Sequence, residues 1–170
     1  MTNSWREPAH RVGSLHIFLY SKGTPSWIRS QSILRLSAPL QLAKAGIYPY
    51  AEHPDFDLLL FGYAVDGGPV EVVDLASRQT IPEEILAVLV DPDVIKWAYN
   101  ASFERVCLSA WLRRHRPELL SDGFLDPAQW RCTVVWSVYL GLPMSLDAVA
   151  TVLKLDVQKD GCLLYTSDAA

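Results

Sequence analysis

The residues best placed to do chemistry are Asn100, Phe103 and Glu104, in the run Trp97-Ala98-Tyr99-Asn100-Ala101-Ser102-Phe103-Glu104-Arg105. A short strand runs directly into a helix there, and the carboxylate falls one turn inside that helix. Metal-dependent nucleases present a ligand to a substrate phosphate with this geometry. A plainer reading stands beside it: an acid in a helix's first turn complements the helix dipole in any protein. Asn100 likewise reads as an ordinary N-cap.

The neighbouring elements follow from periodicity and punctuation. Residues 58–65 are a continuous apolar run closed by Asp66-Gly67, a hairpin signal, and residues 70–73 return as the partner strand. Thr80, Pro82, Glu83 and Glu84 open a helix in which Ile85, Leu86 and Leu89 recur at helical spacing, until Asp91-Pro92 stops it. Residues 94–99 form the next strand. From 101 to about 114, Phe103, Val106, Cys107, Ala110 and Trp111 share one buried helical face, with Glu104 one step round from it. Residues 131–140 and 145–155 read as two further helices, broken at Gly141-Leu142-Pro143. This order predicts an α/β fold, a mixed sheet with helical cover.

A length of 170 residues with half of them hydrophobic suffices for one domain with a core. No apolar run approaches a membrane span, and the start lacks a secretory pattern, so a cytoplasmic protein is expected. Cys107, Cys132 and Cys162 are odd in number and widely spaced, which suggests neither a disulfide framework nor a thiolate zinc site. A net charge of -4 argues against a broad basic face for nucleic acid. Arg113, Arg114, His115 and Arg116 read mainly as a solvated helix end, with phosphate contact as the alternative. Trp130 and Trp136 are candidates to border a groove where a terminal base stacks. His53 and His115 have no partner at ligand spacing.

Asn100, Phe103 and Glu104 match the second motif of proofreading 3′-to-5′ exonucleases, in which the acid is more often Asp. Residues 42–74, 91–108 and 125–146 resemble the exonuclease domain at the front of phage and prophage family A DNA polymerases, a resemblance covering residues 42–160. It implies an RNase H-like mixed sheet and hydrolysis of the 3′-terminal phosphodiester with two divalent ions, Mg2+ or Mn2+. It further implies Glu104 as a catalytic metal ligand, Asn100 and Phe103 as substrate-binding residues, and a single-stranded DNA 3′ end and the parent's polymerase domain as partners. A non-catalytic nucleic-acid-binding or interaction module of the same fold is the alternative. An RNA-processing exonuclease of the same superfamily is a third reading.

Both ends depart from this family. Its first motif, Asp-x-Glu on the central strand, is absent before Leu42, so the fold is expected to lack its native first strand. With one permitted choice of wobble bases, the codons from Ser26 onward, displaced by one base, encode Met-Asp-Thr-Leu-Ser-Ile-Asp-Ile-Glu-Thr-Phe-Ser-Ser-Val. Residues 1–41 are therefore expected to be non-native or out of frame, residues 42–160 a partial exonuclease domain, and residues 161–170 a non-native tail that matches a transposon-derived sequencing adapter. The third motif is expected beyond Asp160. Glu104 alone then remains of four metal-binding carboxylates, so the chain as written is expected to be inactive. The apolar run 15–20 is the best candidate to fill the central slot.

Overall fold

The computed structural model describes residues 17–20, 35–37, 41–66 and 68–154. They form a mixed α/β fold around a six-stranded sheet. The strands are β1 (Ile17–Tyr20), β2 (Arg35–Ser37), β3 (Asp57–Val65), β4 (Glu71–Asp74), β5 (Ile95–Ala98) and β6 (Trp130–Cys132). The helices are α1 (Leu42–Ala45), α2 (Ile47–Glu52), α3 (Glu83–Val90), α4 (Ala101–His115), α5 (Thr133–Tyr139) and α6 (Leu146–Val152), with a 3-10 turn at Pro127–Gln129.

Strand β3 organises the sheet. It pairs antiparallel with β4, from Leu60 opposite Asp74 to Tyr63 opposite Glu71, and Asp66 closes the turn at positive φ, as the Asp-Gly signal predicts. Leu60 also pairs with Arg35 of β2, and Tyr63 with Ile17 of β1. Because each of these β3 residues has two partners, β4 lies along one edge of β3 while β2 and β1 follow one another along the other. β1 runs parallel to β3 and antiparallel to β5, so it occupies the slot between them. Within the run 15–20 named from sequence, Leu15 and His16 lie outside the described residues.

Beyond β5 the sheet departs from the sequence expectation. Residues 130–132 continue it as β6, parallel to β5 with Trp130 opposite Lys96 and Cys132 opposite Ala98, and the helix begins only at Thr133. The open edge of β5 needs backbone partners, and three residues are too few to show a strand period. Helix α3 begins and ends where Pro82 and Asp91 place it, and Ile85, Leu86 and Leu89 are buried. Helices α1 and α2 were not anticipated; they meet at Gly46, whose φ of 80° breaks the helical path.

Candidate functional site

The site is the junction of β5 and α4. Ala98 is fully buried in the sheet, Asn100 takes the N-cap position, and the Asn100 carbonyl accepts from the Phe103 and Glu104 amides at 2.8 and 3.3 Å. The Asn100 side chain makes no capping hydrogen bond and is exposed. An ordinary N-cap would spend its side-chain oxygen on an amide of the first turn; here that oxygen is not so engaged. The Tyr99 side of the junction is held by neighbours. The Val134 amide donates to the Tyr99 carbonyl at 3.0 Å, the Cys132 thiol donates to the same oxygen at 3.3 Å, and the Tyr99 hydroxyl donates to the Met144 carbonyl at 3.0 Å.

Phe103 and Glu104 both lie deep. Phe103 is 5% exposed, with its ring 6.4 Å from that of Tyr50, and Glu104 is only 1% exposed. Glu104 sits inside the fold because α4 is covered on more than one side: α2, β5 and β6 all pack against it. Burying a carboxylate is costly unless it is paired or bonded. Burial, with the nearby Glu104 second, pushes the Cys107 thiol well above its ordinary range, so this thiol is protonated and inert. Cys107 and Cys132 are both free.

Two sequence readings are corrected. Trp130 is 7% exposed within β6, so it does not border an open groove, whereas Trp136 is 48% exposed and packs edge-on against Trp97 at 5.4 Å. The basic run is not a loose solvated face. The Arg114 guanidinium donates to the His53 carbonyl at 2.6 Å and to the Phe56 carbonyl, and it lies 5.7 Å from the centre of the Phe56 ring. Arg113 donates to Glu52 and to the Gly123 carbonyl, over the Phe124 ring. Arg116 grips both oxygens of Glu83 at 2.8 and 2.7 Å. These side chains clamp the end of α4 to α2, to the segment after it and to the start of α3. His115 lies 3.4 Å from Asp57, and His53 3.8 Å from Asp55.

Lys96 was missed. It is fully buried on β5, donating from Nζ to the Asp91 carbonyl at 2.6 Å and to Gln129 Oε1 at 3.0 Å. Burial pushes its ammonium down from 10.5 to about 8, against a weaker opposing pull from Asp91 and Asp126. The available signal was the strand itself: alternation along 95–98 puts Lys96 on the same face as Ala98.

Among the described residues no group of three or more His, Cys, Asp and Glu side chains could hold a metal ion. One carboxylate cannot neutralise two divalent ions or fix their separation, so the described residues do not make a two-ion site. No helix among the described residues is long and apolar enough to cross a membrane.

No family model matches the chain, and no solved structure matches it. The chain is similar to the DNA polymerase of Bacillus phage SP02, with 50% identity over 121 residues, which is 71% of this chain and 17% of that polymerase. The chain thus spans about one sixth of the relative's length, and the similarity supports reading it as a portion of a phage DNA polymerase. The matched length is close to that of the stretch 42–160.

Proposed function

We propose that this chain is part of the proofreading 3′-to-5′ exonuclease domain of a phage-type DNA polymerase, with an RNase H-like sheet. The observation that carries the reading is the β5–α4 junction, where Asn100 holds the N-cap position with an exposed side chain not spent on capping and Glu104 follows one turn later. The similarity to a phage polymerase supports it. In the intact parent the reaction is hydrolysis of the terminal phosphodiester of a single-stranded DNA 3′ end with two divalent ions, Mg2+ or Mn2+. Asn100 and Phe103 shape the entry of the terminal nucleotide, and Glu104 is a metal ligand. The acids that must join Glu104 belong to the first strand, out of frame before Gln41, and to a third motif beyond Asp160. The 170-residue chain is therefore inactive by itself.

A second reading has its own support. Glu104 is only 1% exposed and no metal-holding group surrounds it among the described residues, as suits a non-catalytic module. A chimera separates the two: residues 42–160 replace the matched stretch of the phage SP02 polymerase, whose own sequence before and after is kept. In that background Glu104→Gln abolishes metal-dependent release of 3′ nucleotides by about 10² or more while DNA synthesis continues. Equal digestion by both chimeras would establish the non-catalytic reading.

A further inference from the structure

Among the described residues, eight of the thirteen exposed large hydrophobic side chains lie between Val135 and Leu153, on α5, α6 and the segment joining them. Tyr139 is 90% exposed, Met144 68%, Leu140 67% and Val135 62%. Single exposed apolar residues are ordinary, but a concentration of them marks a surface that is covered in use. The run from 132 to 146 also contains no Asp, Glu, Lys, Arg or His. Aromatic residues and Met enriched where charge is depleted is the composition of a protein–protein interface core.

Phosphate recognition needs cations, and none is offered within this run. The cation before it, Arg131, donates to the carbonyls of Ala128 and Trp130 at 2.7 and 3.0 Å. The matched stretch is only 17% of the polymerase relative, so most of such a parent lies outside it. A surface tethered in the same polypeptide acts at roughly millimolar effective concentration, well above that of a free second copy.

We propose that the α5–α6 face is the docking surface for the remainder of the parent polymerase, an apolar protein surface in the same polypeptide. This rests on the chain being a polymerase portion and not on its exonuclease chemistry. Hydroxyl-radical oxidation of Trp136, Tyr139 and Met144 tests it, comparing the 170-residue chain with the SP02 chimera, provided the chimera still synthesises DNA. Oxidation is expected to be several-fold slower in the chimera. Should the chimera fail to synthesise DNA, amide exchange in the aligned helices of the intact SP02 polymerase replaces it, with protection expected there and rapid exchange in α5 and α6 of the 170-residue chain. Equal oxidation, or equal exchange, overturns the proposal.

In the 170-residue chain alone, protection by an added oligodeoxythymidylate overturns it in favour of a nucleic-acid surface, and protection that grows with protein concentration overturns it in favour of a second copy. The two proposals fail separately. Slow oxidation in a chimera whose Glu104→Gln variant still digests DNA leaves the docking surface standing without the exonuclease, and the opposite pair of results does the reverse.

Discussion

Replacing the buried Lys96 with Met tests the energetics of the sheet beneath the site. In the fold the Lys96 ammonium is pushed down from 10.5 to about 8 by burial. Between those values the unfolded chain keeps the proton that the folded chain releases, so the Lys96 contribution to stability rises with pH across that window. At neutral pH both states are protonated and the shift costs about 3 kcal/mol; by about pH 9.5 about 2 kcal/mol of that is recovered. Met retains the apolar stem and removes the titration. It also strips Gln129 Oε1 of its donor, while the Asp91 carbonyl keeps the Val94 amide at 3.4 Å. An orphaned buried acceptor costs about 1–3 kcal/mol. Relief and loss therefore nearly cancel at neutral pH, and Lys96→Met is expected within about 2 kcal/mol of the parent there. Near pH 9.5 the variant loses about 2 kcal/mol relative to the parent. Burial raises Tyr50 and Tyr63 to about 12 and pushes Cys107 up as well, which lowers stability in alkali; these groups are common to both proteins and drop out of the difference. Urea unfolding of both proteins at a series of pH values measures it. A difference that stays constant from pH 7 to about 9.5 would refute the reasoning.

Three further outcomes are expected. Phe103→Ala, at 5% exposure beside Tyr50, costs about 3–5 kcal/mol in urea unfolding, because its ring fills the core under the helix start. Arg114→Ala removes hydrogen bonds to the His53 and Phe56 carbonyls and lowers stability by about 1–2 kcal/mol, while DNA affinity in a gel-shift titration is unchanged. The 170-residue chain releases no nucleotides from a labelled 3′ end with Mg2+ or Mn2+ present, and metal-dependent release would overturn the inference that its ligand set is incomplete.

The fold was legible wherever a period or a punctuation mark had room to show. The run 58–65 with its Asp-Gly turn, the 83–90 helix between Pro82 and Asp91, and the long helix from Ala101 all lie within a residue or two of their expected bounds. Where pairing decided instead of period, the sequence was silent. Trp130, Arg131 and Cys132 look like the start of a helix until the bare edge of β5 recruits them. The basic cluster looks solvated because sequence does not show that α2 and the segment carrying Phe124 lie within reach of Arg113 and Arg114. Lys96 was passed over because a lone lysine in a strand reads as solvent-facing until its acceptors are located. The candidate site was legible as three residue types at a set spacing; the depth of Glu104 was not, since it depends on how many elements cover α4.

The central claim is that this chain is a piece of a polymerase exonuclease whose first metal-binding strand is read out of frame. A DNA read of the source across codons 20–45 and past codon 160 tests it most directly. The account predicts a one-base insertion or deletion that restores Asp-Ile-Glu-Thr ahead of Gln41, and an open frame continuing to a downstream Tyr and Asp. An uninterrupted frame with incompatible codons before Gln41, ending where this chain ends, would contradict it and favour the non-catalytic module.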